Sequence, residues 1–246
     1  MSKHTVLVTS AVYTNYGIYD AKQRIQQTLD TVKSAQKYIP GCTVILIDNS
    51  TVAVQQDDSA ELNELIELVD YYIDNSDDKD IQYFHNNITN YDIGKNSMEC
   101  IGMYKALSYI QTDSEIMNVI TQSSRIFKLS GRYVLTEKFD ITKFDNEATI
   151  NKYVFKKAHP SWIPIADTGV ATLLQTRLWS FTPGLLADTI QLFHNIIQNM
   201  LVTFNVGKYI DVEHSMAKFI PLERLVELDI VGLTGNIAPN GMEVID

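Results

Sequence analysis

Hydrophobic positions along this chain fall into short unbroken runs separated by longer amphipathic stretches. Residues 5–12 (TVLVTSAV) and 43–47 (TVILI) are apolar runs without polar alternation, the pattern of strands buried on both faces. Between them, residues 19–38 repeat apolar side chains at helical spacing and stop at Pro40-Gly41, which predicts a helix. Residues 57–80 carry ten acids around Leu62, Leu65, Ile66, Val69 and Ile73, the pattern of one amphipathic helix with a solvated acidic face. A short strand over 81–85, a polar loop over 86–94 and a helix over 95–110 are predicted next. Strand residues Ile126, Phe127 and Leu129 then run into the break Ser130-Gly131. Further on, 169–181 reads as a strand with Arg177, Trp179 and Phe181 on one face, and Thr182-Pro183-Gly184 opens a helix to about residue 200. The Pro239-Asn240-Gly241 turn predicts a strand, loop and strand at the end, closing over one of the binding sites.

Strands alternating with helices point to an α/β fold, a mostly parallel sheet with helices on both faces and a mixed C-terminal part, in a single domain. Ligands in such sheets bind beyond the carboxyl ends of the strands. Thr9-Ser10, Asp48-Asn49-Ser50, Asn86-Asn87 and residues 128–132 are polar and lie at those ends, so they should converge on one crevice.

With 246 residues and 45% hydrophobic content the chain can bury a full core. No apolar run approaches the roughly 20 residues that span a bilayer, and the start leads into a strand without a signal-like segment, so a cytoplasmic protein is expected. Two cysteines, Cys42 and Cys100, suit reduced structural thiols. A net charge of -10 argues against a broad nucleic-acid surface, though not against a local basic cleft. His4, His85, His159, His194 and His214 show no metal-ligand spacing, and His194, among apolar neighbours, reads as structural.

Lys128 and Arg132 flank the Ser130-Gly131 break and suit a phosphate or diphosphate, Arg as a planar fork and Lys as a point charge. Residues 13–17 lack G-x-G-x-x-G, and Gly94-Lys95-Asn96-Ser97 lacks the arch of a P-loop. What remains there is an expected helix N-terminus at Lys95 and Asn96, whose free N–H groups would favour an anion.

These residues give the chain a resemblance to GT-A glycosyltransferases of the small bacterial and phage type. The layout matches over residues 5 to about 220: a first strand ending in a loop over the nucleoside, a second ending in an acid, here Asp48, and a segment like 92–96 opening a helix near the nucleotide. The resemblance implies a Rossmann-like donor half, 1–135, and an acceptor half, 136–246, of one domain. It implies donor contacts from Thr9, Ser10, Tyr13, Asp48, Lys95, Lys128, Ser130 and Arg132 to a UDP- or GDP-linked sugar. The Asp-x-Asp that holds a divalent metal in the family is not evident here: the equivalent strand spans 126–133, and Lys128-Leu129-Ser130-Gly131-Arg132 carries no carboxylate. Fixed cations can neutralise a departing diphosphate, so Lys128 and Arg132 would stand in for the metal. The alternative is that Asp140, Asp145 or Asp167 brings Mg²⁺ or Mn²⁺.

In the acceptor half, Trp162 offers a face for sugar stacking, with Asp167 and Arg177 as further acceptor contacts. The acids opening the helix after residue 209 stand where the family carries its general base: Glu213 first, Asp211 second, with His214 as orienting partner or diphosphate contact. The reading is sugar transfer to a hydroxyl of a glycan or of a hydroxymethylated DNA base. The alternatives are a sugar nucleotidyltransferase, which would need a basic loop after the first strand, and a non-catalytic nucleotide- or glycan-binding module.

Overall fold

The structure, a computed structural model, describes residues 4–14, 16–51, 60–237 and 241–246. In chain order the first half comprises β1 (His4–Ser10), α1 (Ala21–Tyr38), β2 (Thr43–Asp48), α2 (Ala60–Leu68), β3 (Tyr71–Asp74), α3 (Lys79–Asn87), α4 (Tyr91–Thr112), α5 (Ser114–Gln122), β4 (Arg125–Ser130) and β5 (Tyr133–Leu135). The second comprises α6 (Ile141–Phe144), β6 (Tyr153–Lys156), β7 (His159–Pro160), α7 (Ile165–Thr168), β8 (Thr172–Leu173), β9 (Leu178–Phe181), α8 (Leu186–Asn205), α9 (Val212–Phe219), β10 (Leu225–Leu228), β11 (Leu233–Asn236) and β12 (Glu243–Ile245).

Seven strands form the central sheet in the order β3-β2-β1-β4-β9-β6-β10. The first four run parallel, β9 runs against both its neighbours, and β6 and β10 pair in parallel. This is the expected fold class, with the mixed part where the chain turns to its second half. Along β1 the side chains alternate between two cores: Leu7 joins Ile45, Met103 and Trp179 on one face, while Val6 and Val8 join Leu29, Val32 and Phe127 on the other. All three are fully buried, each contributing roughly 1.5–3 kcal/mol. Helix α1 starts on a capping box, Asp20 with Gln23, and gives Ile25, Leu29 and Val32 to the second core. The buried residues of α4 include Ser97, Cys100, Ile101 and Met103, successive turns that wrap the helix, which packs against α3, α5, α8 and the sheet.

Several boundaries differ from those the pattern predicts. The acidic stretch is not one helix: α2 ends at Leu68, and Tyr71–Asp74 pairs with β2 as an edge strand, where β-favouring Tyr71, Tyr72 and Ile73 outweigh the acids around them. Asp57 and Asp58 lie outside the described residues. The predicted strand over 81–85 is helix α3, capped by Asp78, which accepts from the Asp80 and Ile81 amides. Helix α4 begins a turn earlier than expected, at Tyr91, because Asn90 caps it. Lys95 and Asn96 therefore sit inside the helix, and the expected N-terminal anion site at those two residues is not formed. Helix α5 was not predicted. The single strand over 169–181 is two, β8 and β9, and α8 extends to Asn205. The terminal strands formed, but they pair with β5 as a separate antiparallel sheet; Pro239 and Asn240 lie outside the described residues. No described helix is long and apolar enough to cross a membrane.

Candidate active site

Beyond the carboxyl ends of β1, β2 and β4 lies a cleft of about 610 Å³. One side is built from Thr9, Ser10, Asn49, Ser130 and Arg132 at the strand ends, the other from Tyr91, Lys95, Met98 and Glu99 of α4, with Thr14, Tyr16 and Arg24 closing the end.

The loop after β1 is fixed from behind. Arg24, buried on α1, donates through Nε to the Tyr19 carbonyl at 3.1 Å, through one terminal nitrogen to Ala11 at 3.3 Å and through the other to Tyr16. Burial, with Arg132 nearby, pulls its pKa down to about 10. The Tyr16 ring presses on α4 at Gly94, where an added Cβ would lie 2.3 Å from the tyrosine oxygen. A side chain there would push Tyr16 out of the cleft wall.

Under the cleft, Lys128 is 1% exposed and all three of its donors are taken: Glu99 Oε1 at 3.1 Å, Ser130 Oγ at 2.7 Å and the Thr176 carbonyl at 3.0 Å. It cannot reach a ligand directly without giving up one of these bonds, so its charge acts from below. Burial alone would raise the Glu99 carboxyl, yet Lys128, Lys95 and Arg132 together hold it below its ordinary value. Arg132, on the turn between β4 and β5, is different. Its Nε is buried in the cleft wall with no partner among the described residues. Lys95 has no ion pair at contact distance among the described residues; burial works to lower its pKa, but Glu213 and Glu99 outweigh that and raise it.

Helix α9 brings the acids. Asp211 caps it, accepting the His214 amide at 2.9 Å, and the same oxygen lies 2.5 Å from His214 Nδ1. His214 is fully buried and its Nε2 is 2.8 Å from Ser161 Oγ, so Asp211 and His214 are spent on each other and on the 159–163 loop. Glu213 is free of that pair. Its Oε1 accepts from the Thr176 hydroxyl at 3.1 Å, and burial, then the charge of Asp211, push its pKa above the ordinary glutamate value, although the side chain is not part of the cleft lining. Asn96 ties α9 to α4: its Nδ2 donates to Tyr209 and to the Asp92 carbonyl, both at 2.9 Å, and its Oδ1 accepts the Val212 amide at 3.4 Å.

Of the residues expected at the donor site, Thr9, Ser10, Lys95, Ser130 and Arg132 line the cleft. Tyr13 and Asp48 stand behind it. Asp48 is fully buried and accepts the Val12 amide at 3.2 Å and the Tyr72 hydroxyl at 3.4 Å, while the Tyr13 amide donates to Ser50 Oγ at 2.9 Å. Burial raises the Asp48 carboxyl to about 6. Trp162 is 72% exposed and stands edge-on to His214 at 5.5 Å, which places it beside α9. Asp167 sits 3.9 Å from Lys208, and Arg177 turns to Tyr133, donating to its hydroxyl at 3.1 Å. None of these three lines the cleft. Asn49 lines it, as its place at a strand end led us to expect, whereas Asn86 and Asn87 belong to helix α3 and do not; Glu99, Tyr16, Tyr91 and Arg24 line it without having been singled out. Glu99 had a signal: a lone acid inside Met98-Glu99-Cys100-Ile101 needs a buried cation.

The residues at the end of β4 do not suit a divalent metal. Two cations and a hydroxyl occupy the positions, and among the described residues no group of three or more His, Cys, Asp or Glu is placed to hold one. Asp140 caps α6, and Asp145 meets His4 and Ser124, so neither of these nor Asp167 reaches the cleft.

The solved structure of LgtC, a galactosyltransferase in complex with donor and acceptor sugar analogues, superposes with a TM-score of 0.54 at 9% identity, over 91% of this chain and 72% of LgtC. The chain is GT-A-like in fold. An active-site mutant of LgtC aligns equally far, with a TM-score of 0.52 at 11% identity. A glycosyltransferase involved in glycosylation of the major capsid of PBCV-1 aligns at 0.45, with 9% identity over 92% of this chain and 81% of that one. No protein-family model and no curated protein sequence matches. In this GT-A-like frame the cleft lies on the carboxyl side of the parallel strands, where an α/β sheet takes its ligand.

Proposed function

We propose that the protein transfers a sugar from a nucleotide-sugar donor to a hydroxyl acceptor, with fixed cations in place of a metal. The observation that carries this is Arg132, a guanidinium whose Nε is buried and unpartnered in the cleft wall, between Lys95 and the strand end that holds Lys128. Arg132 and Lys95 bind the diphosphate, and Lys128 adds its charge from below. Thr9, Ser10 and Ser130 supply neutral hydrogen bonds, while Tyr13 and Asp48 hold the loop that borders the nucleoside. The acceptor oxygen attacks the anomeric carbon and its proton passes to Glu213. The bond from that carbon to the diphosphate oxygen breaks, and the nucleoside diphosphate leaves with the electron pair onto Arg132 and Lys95. Asp211 and His214 position α9 and the 159–163 loop.

For the acceptor, the exposed Trp162 gives a stacking face next to α9, which suits a glycan, with Asp167 on the same side. A donor of this class is used where nucleotide sugars are made, in the cytoplasm. The test is calorimetric titration of UDP, GDP, CDP and ADP with and without EDTA. Binding of at least one nucleotide that EDTA leaves unchanged, lost in Arg132→Ala, is expected. Binding that requires Mn²⁺ or Mg²⁺ would overturn the metal-free reading, and no binding by any of the four would overturn the transferase itself.

A further inference from the structure

The segment between β8 and β9, residues 174–177, stands outside the cleft lining yet is bonded to both sides of the chemistry. Its backbone serves the floor of the cleft. The Thr176 carbonyl accepts from Lys128 Nζ at 3.0 Å, and the Arg177 carbonyl accepts the Ser130 amide at 2.9 Å. Its other bonds go to α9, where the Leu174 amide donates to the Glu213 carbonyl and the Thr176 hydroxyl to Glu213 Oε1, both at 3.1 Å. Thr176 is 4% exposed. One residue thus holds the buried ammonium with its main chain and Glu213 with its side chain.

The hydroxyl makes no other hydrogen bond to a described residue, and a carboxylate only accepts, so the Thr176 proton lies on Glu213. Glu213 is half-buried; its Oε2 has no partner among the described residues and is not enclosed. Burial, Asp211 on the same helix and Glu99 on α4 push the carboxyl toward its neutral form, while Lys95 on α4 pulls the other way. A hydrogen bond donated to the charged form favours it, so the Thr176 hydroxyl works on the side of Lys95. Resting on the transferase reading above, we infer that Thr176 is the positioning residue of the base: its hydroxyl fixes Glu213 Oε1, which leaves Oε2 to take the acceptor's proton, and its carbonyl ties that arrangement to Lys128 under the donor.

The test exchanges the hydroxyl for a methyl of the same shape. Thr176→Val keeps the carbonyl on Lys128 and the cleft lining unchanged, and removes only the donor to Glu213. The activity read is hydrolysis of UDP-galactose, UDP-glucose and GDP-mannose by the whole chain, in which water attacks the anomeric carbon and gives its proton to Glu213. In Thr176→Val, kcat should fall about tenfold and its acid limb should move up by about one pH unit, the worth of one hydrogen bond to a charged group. KM, and UDP or GDP affinity by calorimetry, should stay within about twofold. Thr176→Ser keeps the hydroxyl and should restore both rate and limb. Without any substrate, the Glu213 carboxyl resonance of ¹³C-glutamate-labelled protein, assigned through Glu213→Gln, should titrate about one unit higher in Thr176→Val. A limb and a resonance both unmoved would overturn the positioning role, while hydrolysis by the unaltered chain would keep the transferase reading. A rate lost together with nucleotide affinity, and not restored by Thr176→Ser, would reduce Thr176 to a strut of the fold and overturn it equally. Where a nucleotide binds but no donor is hydrolysed, the resonance alone decides. Absence of all nucleotide binding would remove the transferase reading and the role of Thr176 with it.

Discussion

Glu99 lines the cleft and Asp48 stands behind it, and their surroundings treat the two carboxylates in opposite ways. At the β4 end, Lys128, Lys95 and Arg132 outweigh the cost of burying Glu99 and keep it ionised. At the β2 end, Asp48 has hydrogen bonds from Val12, Ser50 and Tyr72 but no cation, and Asp74 pairs beside it across the sheet, so burial raises it to about 6. The difference shows how one sheet edge can offer a charged end and a nearly neutral end within a few strand spacings.

The sharpest way to break this contrast is to remove the buried ammonium. Lys128→Ala leaves Glu99 without its contact ion pair and should cost about 3–5 kcal/mol in urea denaturation. A loss under about 1 kcal/mol would reduce the pair to the rank of a surface salt bridge. Next in size, Glu213→Gln should lower kcat by about 10³-fold with little change in the urea midpoint. In the unaltered protein the base must be ionised, so kcat/KM should fall as pH drops through a pKa lying above the ordinary glutamate range. That acid limb should vanish from the residual activity of the variant. Arg132→Ala should lower kcat/KM by about 10²-fold in the presence of EDTA without destabilising the fold. Equal losses of stability in Arg132→Ala and Lys128→Ala would erase the distinction between wall and floor.

The smallest effect belongs to Asp48. Its folded pKa, about 6, exceeds the 3.8 of the free side chain, so the folded state binds more protons between those values. Stability should therefore decline as pH rises from about 4 to about 6, by roughly 2 kcal/mol, and Asp48→Asn should flatten that slope in denaturation measured across the window.

What the sequence revealed follows from how far each signal reaches along the chain. β1, β2, α1 and the Ser130-Gly131 break rest on local apolar runs and breakers, and each was legible. Tyr71–Asp74 was hidden because its edge-strand role depends on pairing with β2, and the surrounding acids read as one helix face. Residues 81–85 read as a strand because Ile81, Tyr83 and Phe84 favour β-structure, while the cap that makes 79–87 a helix, Asp78, lies inside the acidic run. Arg132 and Lys95 could be picked out as cations near strand and helix ends. That Lys128 is locked while Arg132 is open could not, because it depends on Glu99 and Thr176, 29 and 48 residues away.

One tie carries a consequence in time. Asn96 reaches Val212 across 116 residues, and through it α9 is fastened to α4. During synthesis the strands and helices that cradle a donor emerge first, and the glutamate that would take the acceptor's proton emerges last, after β9 has slotted between β4 and β6. Under the proposed reading, the residues of the donor site are thus all made before the proposed base exists.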